Sequence, residues 1–495
     1  MGVLQAVLFV VALVQFLRCA GPAHVWVCVG LAVPLLRLVV SSTYRGWIRS
    51  RLRGEWATIE AFSVDRVRLP WRATALLIVL PAGLFFLSQR PLRTGDSKPM
   101  TLIASALVRD GTTDLGAFAA EYASVYHIPP VTDLPYFCLR TKAGIHSLYP
   151  SGMFVFALPS AALARLLGAD LAQGGVQDRM EKGVASWLAA ACLGLFFLLA
   201  LHLVDARSAA WMTLFLATGS GLCSTVGQAL WQHGGVLFWM LLALLIEFRT
   251  WRRPTLAATQ LQGVALAMMF ACRLPSALLI AAFGMWLLIR APRRAAVVGL
   301  AAIATYVPWA WYYQTIYGHI FGPSIGQLRL FTGHWRETLI PLLFSLDHGL
   351  LIYQPWIVLG LMFVVPSVRR GLPDAPSGWK WLCIAVIVPY VALVASWYCW
   401  WGGQCWGSRL LVETVPFFAL LCLPAIAALR RRAWGRRLLL ATAVAAGFVQ
   451  LSGVYLKVDF RDSQPALVGT KPEPPGSWKH VPFLTPLVGS LHSYR

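Results

Sequence analysis

The sequence is poor in charged residues, and most of those it has carry one sign. Asp, Glu, Lys and Arg make up 13% of its 495 residues, and 42 Lys and Arg against 20 Asp and Glu give a formal net charge of +22. A soluble globular domain carries roughly 25% charged residues. The chain therefore lacks the polar side chains that would cover a water-exposed body, which excludes a soluble domain as its main architecture.

Several motifs are also missing. No Walker sequence, nucleotide-sugar motif or H-E-x-x-H occurs, so cytosolic nucleotide chemistry and zinc-protease chemistry have no support. Ten cysteines lie mostly within apolar runs and lack metal-ligand spacing. Cys399 and Cys405 flank a Trp-Gly turn and could form a disulfide or remain free thiols. The run from Val3 to Leu17 has no basic region before it, so we expect no cleavable signal peptide.

Apolar runs recur along the whole chain. The apolar fraction is 58% and the mean hydropathy is +0.65. These runs predict an all-α, polytopic membrane protein. The arginines cluster between the runs, so we interpret the positive charge as anchoring cytoplasmic loops, not as a nucleic-acid-binding surface. The clusters lie at 45–53 with Arg66, Arg68 and Arg72, at 249–253, at 290–294, at 369–370 and at 430–437.

Placing every basic cluster on the cytoplasmic side constrains the topology. The runs at 150–168, 184–203 and 208–223 cannot all cross the membrane, because the helix at 229–248 must end at Arg249. We predict that 150–168, which is short and contains Pro159 and Arg165, lies in the outer interface. About 13 spans result by the 20-residue criterion. The further spans are 2–18, 24–42, 73–89, 256–272, 274–290, 295–314, 349–366, 379–397, 411–428 and 437–453.

The topology divides the chain into four parts. We predict an N-terminal transmembrane hairpin at 1–42, a basic cytoplasmic loop at 43–72, a main transmembrane domain at 73–453 and an external C-terminal tail at 454–495. The main domain includes an external loop at 90–183 with surface-lying helices, among them the amphipathic stretch from Met100 to Val108. The N-terminus is then cytoplasmic.

The polar residues that stand beside these spans fall mostly on the external side. Gly95-Asp96 opens the first external loop, where a carboxylate at the lipid–water boundary could accept a proton from an incoming hydroxyl. Equally, Asp96 could cap the helix that begins near Pro99. Further pocket candidates on this side are Lys98, Asp110, Asp114, His146, Tyr149, His233, His348, Tyr353, Trp400 and Trp401.

Two external arginines are candidates for binding a phosphate. Arg273 lies in a short turn on the side where the positive-inside rule disfavours it. Arg409 follows the stretch from Trp397 to Ser408 at the start of a helix, where the helix dipole already favours an anion. One acid, two cations and a Trp/Gly loop on one face suit an enzyme that uses a polyprenyl-phosphate-linked donor.

The order of these motifs resembles bacterial GT-C-fold glycosyltransferases, the group that includes protein O-mannosyltransferases and lipid A aminoarabinose transferases. The motifs, spread over about residues 73–453, are Gly95-Asp96, Tyr149-Pro150-Ser151-Gly152, Trp231-Gln232-His233, Arg273-Leu274-Pro275 and the stretch from Trp400 to Arg409. The resemblance implies a GT-C-like fold in the bacterial inner membrane. It also implies Asp96 as the base that activates the acceptor, and Arg409 and Arg273 at the donor's phosphate.

The sequence departs from that family at two motifs. Ser97-Lys98 follows Asp96 where many relatives have a second acid, and Leu274 interrupts the Arg-Pro turn. Asp110, Asp114 or Asp133 could therefore be the base. The partners we expect are a polyprenyl-phosphate sugar, membrane lipids and an external glycan, lipid or protein acceptor, but no nucleic acid. No metal ligand is assigned, and a divalent cation stays open as cofactor. The alternatives are a non-catalytic subunit of a larger membrane assembly and a lipid or solute transporter.

Overall fold

The computed structural model describes residues 71–88, 95–123, 133–331, 333–364, 376–403 and 405–455. The predicted N-terminal hairpin at 1–42, the basic loop at 43–72 except for its last two residues, and the C-terminal tail beyond 455 lie outside the described residues. The predicted topology of these parts stays a prediction.

The described chain is mostly helical. Its α-helices are α1 (Trp71–Leu87), α2 (Lys98–Asp110), α3 (Gly116–Ala123), α4 (Phe154–Leu166), α5 (Gly174–Ala200), α6 (Ala206–Thr218), α7 (Gln232–Thr250), α8 (Leu256–Cys272), α9 (Ala277–Arg290), α10 (Pro292–Tyr317), α11 (Trp335–Phe344), α12 (Leu350–Tyr353), α13 (Trp379–Ala395), α14 (Val415–Arg430) and α15 (Ala433–Tyr455). Short 3₁₀ segments lie at Leu274–Ser276, Pro323–Leu330, Pro355–Val364 and Arg409–Thr414, and a π-helical turn lies at Leu222–Val226.

Apolar helices long enough to cross a membrane occur within the described residues. Five segments are both long enough and apolar enough to cross a membrane, namely Gly174–Ala200, Gln232–Thr250, Pro292–Tyr317, Arg409–Arg430 and Ala433–Tyr455. Shorter apolar helices are Thr74–Leu87, Phe154–Leu166, Leu256–Cys272, Leu274–Arg290 and Trp379–Ala395. This pattern is that of a membrane protein with several apolar helices, and the predicted count of about 13 spans is not confirmed by it.

Helix α5 has 27 residues and packs against α1, α4, α6 and α7. Glycines let the helices approach closely at two contacts. A Cβ on Gly194 of α5 would lie 2.8 Å from Ile78 Cδ1 of α1, and a Cβ on Gly263 of α8 would lie 2.4 Å from the Val298 carbonyl oxygen of α10. Small residues at helix contacts are a usual source of stability in membranes, because close approach increases van der Waals contact.

Charges at one end of the helices form ion pairs. Glu247, near the end of α7, lies 2.9 Å from Arg294 Nη2 and 3.5 Å from Arg290 Nη1. Asp205 caps α6 and lies 2.9 Å from Arg430 at the end of α14. The basic clusters that follow α7, α9 and α14 therefore gather at one end, which we call the basic end. The first turn of α7 lies at the other end.

One predicted helix is wrong, and another begins earlier than predicted. The helix expected at 349–366 ends at Tyr353, and a 3₁₀ segment begins at Pro355. Proline lacks a backbone N–H and disfavours helical conformation at the residue before it, here Gln354. The span predicted at 184–203 begins ten residues earlier, at Gly174.

The first loop contains a β-hairpin, so the all-α prediction is wrong in this detail. Strands β1 (Cys138–Thr141) and β2 (Gly144–Ser147) pair antiparallel, with Cys138 opposite Ser147. Asp114 joins the hairpin to α3, because its Oδ1 accepts from the backbone N–H of Gly116 and of Ile145, each at 2.9 Å.

Helix α2 covers the predicted amphipathic stretch, yet all its residues from Lys98 to Ala106 are buried. It packs against α4 and α5, so this stretch does not present the solvent-exposed polar face that an amphipathic surface helix would have. Arg165 of α4 fastens the two helices, since its Nη1 donates to the Val108 carbonyl at 2.6 Å. The surface-lying position predicted for 150–168 stays a prediction.

Candidate functional site

The carboxylate of Asp96 lies where the first loop meets the Trp/Gly loop, residues 398–409. Its Oδ1 accepts from the hydroxyls of Tyr149 at 2.7 Å and Tyr136 at 3.0 Å. Its Oδ2 lies 3.0 Å from Arg409 Nη1. Ser97 is the N-cap of α2 and Asp96 accepts bonds from other elements, so the capping alternative is wrong. The structure thus brings together residues 313 positions apart in the chain.

Tight packing against Gly95 places the ring of Tyr136. A Cβ on Gly95 would lie 2.4 Å from the Tyr136 ring, so only glycine admits this ring beside Asp96. Burial, with the Asp96 carboxylate beside it, raises the pKa of Tyr149 well above its ordinary value. The Tyr149 hydroxyl therefore stays protonated and donates a hydrogen bond to the carboxylate.

The Tyr149-Pro150-Ser151-Gly152 segment is held against the end of α8. The N–H of Gly152 donates to the Ala271 carbonyl at 3.0 Å, and a Cβ on Gly152 would lie 2.5 Å from the Ala271 carbonyl carbon. The N–H of Ser151 donates to the Tyr313 hydroxyl at 3.0 Å. The position of Tyr149 therefore depends on α8 and α10.

Arg409 is fixed from three sides. Its Nη1 binds Asp96, its Nη2 donates to the Gly402 carbonyl at 2.6 Å, and its guanidinium lies 3.9 Å from the centroid of the Trp231 ring. The loop that supplies this carbonyl turns at Gly402, Gly403 and Gly407, whose φ values of +84°, +73° and +67° favour glycine. The Arg409 side chain is 11% exposed, and its buried Nε has no partner among the described residues.

Arg273 and His233 bind a different acid, Glu413. Glu413 Oε1 lies 2.9 Å from Arg273 Nη1 and 2.9 Å from His233 Nδ1. The Tyr390 hydroxyl bonds Oε2 and lies 2.6 Å from Arg273 Nη1. The side chain of Glu413 is fully buried. We call these four residues the Glu413 network, and it compensates the charge of Arg273 within the chain.

Lys98 faces helix α5. Its ammonium lies 2.6 Å from Asp178 and 2.7 Å from Glu181, and its side chain is 1% exposed. Burial would lower the pKa of Lys98, but Glu181 and Asp178 outweigh it and the pKa is raised. Glu181 also accepts from the Ser97 hydroxyl at 2.5 Å. This cluster attaches the turn that carries Asp96 to α5.

The three alternative acids have partners of their own. Asp110 is exposed and pairs with Arg109, whose guanidinium lowers the pKa of that carboxyl. Asp114 supports the β-hairpin, as described above. Asp133 is exposed and pairs with Arg140. Asp110 and Asp133 therefore form surface ion pairs, and Asp114 has a structural role.

The two remaining histidine candidates are buried. His146 Nδ1 lies 3.0 Å from the Thr141 hydroxyl, and burial lowers the pKa of His146. His348 Nδ1 lies 3.3 Å from the Gly407 carbonyl, and burial lowers the pKa of His348 to about 4. His348 therefore stays neutral at physiological pH and supports the backbone that leads to Arg409.

The aromatic candidates line the Trp/Gly loop. Tyr353 is buried, with its ring centroid 5.7 Å from that of Trp406. The rings of Trp400 and Trp401 are half-buried, and their centroids lie 5.8 Å apart in an edge-to-face arrangement. Cys399 and Cys405 in the same loop are both free thiols. The aromatic rings pack the loop that holds Arg409.

No group of three His, Cys, Asp or Glu side chains that could hold a metal ion occurs in the part of the chain that the structure describes. Asp96 in particular has no second acid among its hydrogen-bond partners, which are two hydroxyls and a guanidinium. The described site is therefore built around a carboxylate and a cation.

Sequence reasoning missed several residues of this region, among them Glu413, Glu181 and Tyr136. Glu413 had a usable signal, because it is an acid within an otherwise apolar run and such residues are costly in membranes. Glu181 had a weaker signal, since it was assigned to a loop and lies in α5. Tyr136 had none, because its closeness to Asp96 follows from the hairpin that returns the chain to this turn.

The chain is similar in fold to a known structure, although its sequence matches no known family. No protein-family model and no curated protein matches this chain. The crystal structure of the Archaeoglobus fulgidus oligosaccharyltransferase in the apo form is similar over 82% of this chain, with 10% sequence identity and a TM-score of 0.49. The chain spans 61% of the length of that protein. A likeness at this level does not assign a family or an activity.

Proposed function

We propose that this chain is a membrane glycosyltransferase. It moves a sugar from a polyprenyl-phosphate-linked donor to an acceptor hydroxyl on the external face of the membrane. Asp96 is the general base, and Arg409 binds the donor's phosphate. The observation that carries the proposal is the contact of 3.0 Å between Asp96 and Arg409, because it pairs a carboxylate that is 27% exposed with a cation at one site.

In the proposed reaction the base acts on the acceptor hydroxyl and the cation acts on the leaving phosphate. Asp96 takes the proton of the acceptor hydroxyl, whose oxygen forms a bond to the anomeric carbon. The bond from that carbon to the phosphate oxygen breaks, and the polyprenyl phosphate leaves with the electron pair. Arg409 stabilises the charge that develops on the leaving phosphate.

The ion pair itself suggests how donor binding activates the base. While Arg409 binds Asp96, its guanidinium occupies Oδ2 of the carboxylate. A phosphate presents more acceptor oxygens to a guanidinium and competes for it. When the donor draws Arg409 away, Oδ2 can accept the proton of the acceptor hydroxyl, while Oδ1 keeps its two tyrosine partners.

Arg273 contributes less directly in this proposal. Its Nη1 lies on Glu413 and Tyr390, and its side chain is 15% exposed. It adds positive potential near Arg409 and can contact the phosphate only if it leaves part of the Glu413 network.

The test is turnover with defined donors. The purified protein in lipid nanodiscs is given polyprenyl-phosphate monosaccharides, and the release of polyprenyl phosphate is measured. Asp96→Asn keeps the size of the side chain and removes its basicity, so we expect kcat to fall by about 10²- to 10⁴-fold. Asp110→Asn, in an exposed acid of the same loop, is the control and should retain wild-type turnover. Full turnover by Asp96→Asn contradicts the role of Asp96.

One observation favours a second candidate, a non-catalytic subunit of a membrane assembly. Both arginines that could bind a phosphate already have carboxylate partners within the chain. This candidate predicts a partner that co-purifies in stoichiometric amount and no turnover of any donor by the chain alone.

A further inference from the structure

We propose that Glu413 is a positioning residue, which holds Arg409 and the supports of Asp96 in the arrangement that the transfer reaction needs. The inference rests on the proposed function, and its test includes a measurement that does not depend on transfer. Glu413 itself is fully buried and does not reach substrate.

Glu413 belongs to the same short segment as Arg409. The 3₁₀ segment Arg409–Thr414 has 6 residues, so the two side chains are about one turn apart. The segment continues directly into α14, so Glu413 lies on the turn that joins Arg409 to that helix. Its carboxylate is bound by groups from three other elements.

Each of the three elements also holds part of the Asp96 site. His233 lies in the first turn of α7, two residues after Trp231, whose ring lies against the Arg409 guanidinium. Arg273 lies two residues after Ala271. The Ala271 carbonyl accepts a hydrogen bond from the N–H of Gly152, in the segment that carries Tyr149.

The third element, α13, carries Tyr390 and ends at Ala395, just before the Trp/Gly loop that supplies the Gly402 carbonyl to Arg409. Glu413 therefore connects Arg409 to the elements that place Trp231, Tyr149 and Gly402. Its loss should loosen these supports together, even though no partner of Asp96 is removed.

A matched control lies in α7, the helix that carries His233. Glu247 of α7 is also buried and also lies within 3.5 Å of arginines, Arg290 and Arg294. It lies at the basic end, and its partners Gln262, Arg290 and Arg294 belong to α8, α9 and α10. It is therefore at the opposite end of α7 from His233, which contacts Glu413. A purely structural role for Glu413 predicts that disrupting either glutamate has the same consequences.

The experiment replaces each ion pair by apolar residues of similar size. Such replacements are often neutral or stabilising, whereas removal of one partner leaves an uncompensated buried charge. The two variants are Glu413→Met with Arg273→Met, and Glu247→Met with Arg294→Met. Three quantities are measured for the full-length protein in nanodiscs: the midpoint of thermal unfolding, kcat and KM for a polyprenyl-phosphate sugar, and the rate at which Cys399 reacts with a thiol reagent, determined by peptide mass spectrometry.

Cys399 reports on the site without requiring turnover. Its carbonyl accepts from the N–H of Gly402, and the Gly402 carbonyl accepts from Arg409. We expect the Glu413→Met/Arg273→Met variant to be folded, with Cys399 labelled about tenfold faster and kcat reduced by a similar factor, the scale of one lost buried hydrogen bond. The Glu247→Met/Arg294→Met variant should match the wild type in both measurements.

Wild-type kcat and wild-type Cys399 labelling in the Glu413→Met/Arg273→Met variant would overturn the proposal, and so would equal changes in both variants. If the wild-type protein turns over no donor, the proposed function fails and Cys399 labelling alone decides the positioning role. If the Glu413→Met/Arg273→Met variant does not fold, His233→Phe takes its place. It removes one donor to Glu413 and keeps the ion pair, and the same two measurements should change in the same direction.

Discussion

Asp96 and Glu413 have similar partners and different surroundings. Each carboxylate accepts from a tyrosine hydroxyl and lies within about 3 Å of an arginine, Arg409 for Asp96 and Arg273 for Glu413. The side chain of Asp96 is 27% exposed, whereas that of Glu413 has no exposed surface. Solvent can reach the side chain of Asp96. It cannot reach Glu413, whose bonds connect α7, α13 and the end of α8.

The largest difference is expected in stability. Glu413→Ala leaves the Arg273 charge buried without its acid, which should lower the free energy of unfolding by about 3–5 kcal/mol. Asp96→Ala leaves Arg409 beside a site that water can enter, so the loss should be about 1–2 kcal/mol. Unfolding of both variants in detergent by heat or denaturant checks this order. Equal losses would show that solvent access does not separate the two acids.

A smaller effect should separate the two tyrosine hydroxyls. Tyr390→Phe removes a buried partner shared by Glu413 and Arg273, and we expect it to destabilise the protein by about 1–3 kcal/mol. Tyr149→Phe removes one of three bonds to a partly exposed carboxylate, so its stability should change by less than about 1 kcal/mol while kcat changes. Comparing unfolding midpoints with turnover tests this pairing. A reversed order would mean that Tyr149 is the more important structural bond.

A third comparison concerns the pH dependence of stability on the Asp96 side of the molecule. Burial holds the pKa of His348 at about 4, below its ordinary value of 6.5. Between these values the unfolded chain binds more protons at this histidine than the folded chain does. Stability therefore falls as the pH decreases from about 6.5 to about 4.

His348→Asn should reduce this acid sensitivity, measured as the change in unfolding midpoint between about pH 7.5 and pH 5. His334→Asn is the control, because His334 is 64% exposed. An unchanged pH dependence in His348→Asn would show that another group causes the acid sensitivity.

Much of the architecture could be predicted from local sequence. The low charge and the recurrent apolar runs predict helices whose side chains are buried in the protein or face lipid. Most of the described helices lie within a few residues of their predicted positions. The break after Tyr353 was missed although Pro355 was visible, because overall hydropathy outweighed the local effect of a proline. The β-hairpin at 138–147 was missed because strands of four residues have little periodicity.

The candidate site was only partly predictable for a different reason. Asp96, Arg409 and Arg273 stood out because charged residues beside membrane helices are costly. Their pairing could not be predicted, since the sequence does not specify which acid meets which arginine. Arg273 was expected at a phosphate and lies on Glu413. Lys98 was expected in a pocket and lies on Asp178 and Glu181.

The sequence by itself determined the class of protein and the residues worth examining, because composition, apolar periodicity and rare charges are local properties of the chain. Only the tertiary structure decided which carboxylate is exposed to solvent and which is buried. Solvent access depends on what other elements cover a side chain. For Asp96 and Glu413 those elements are the segments that flank the β-hairpin, the start of α7, the end of α8 and the Trp/Gly loop, which are spread over residues 136–409 and meet only in the folded protein.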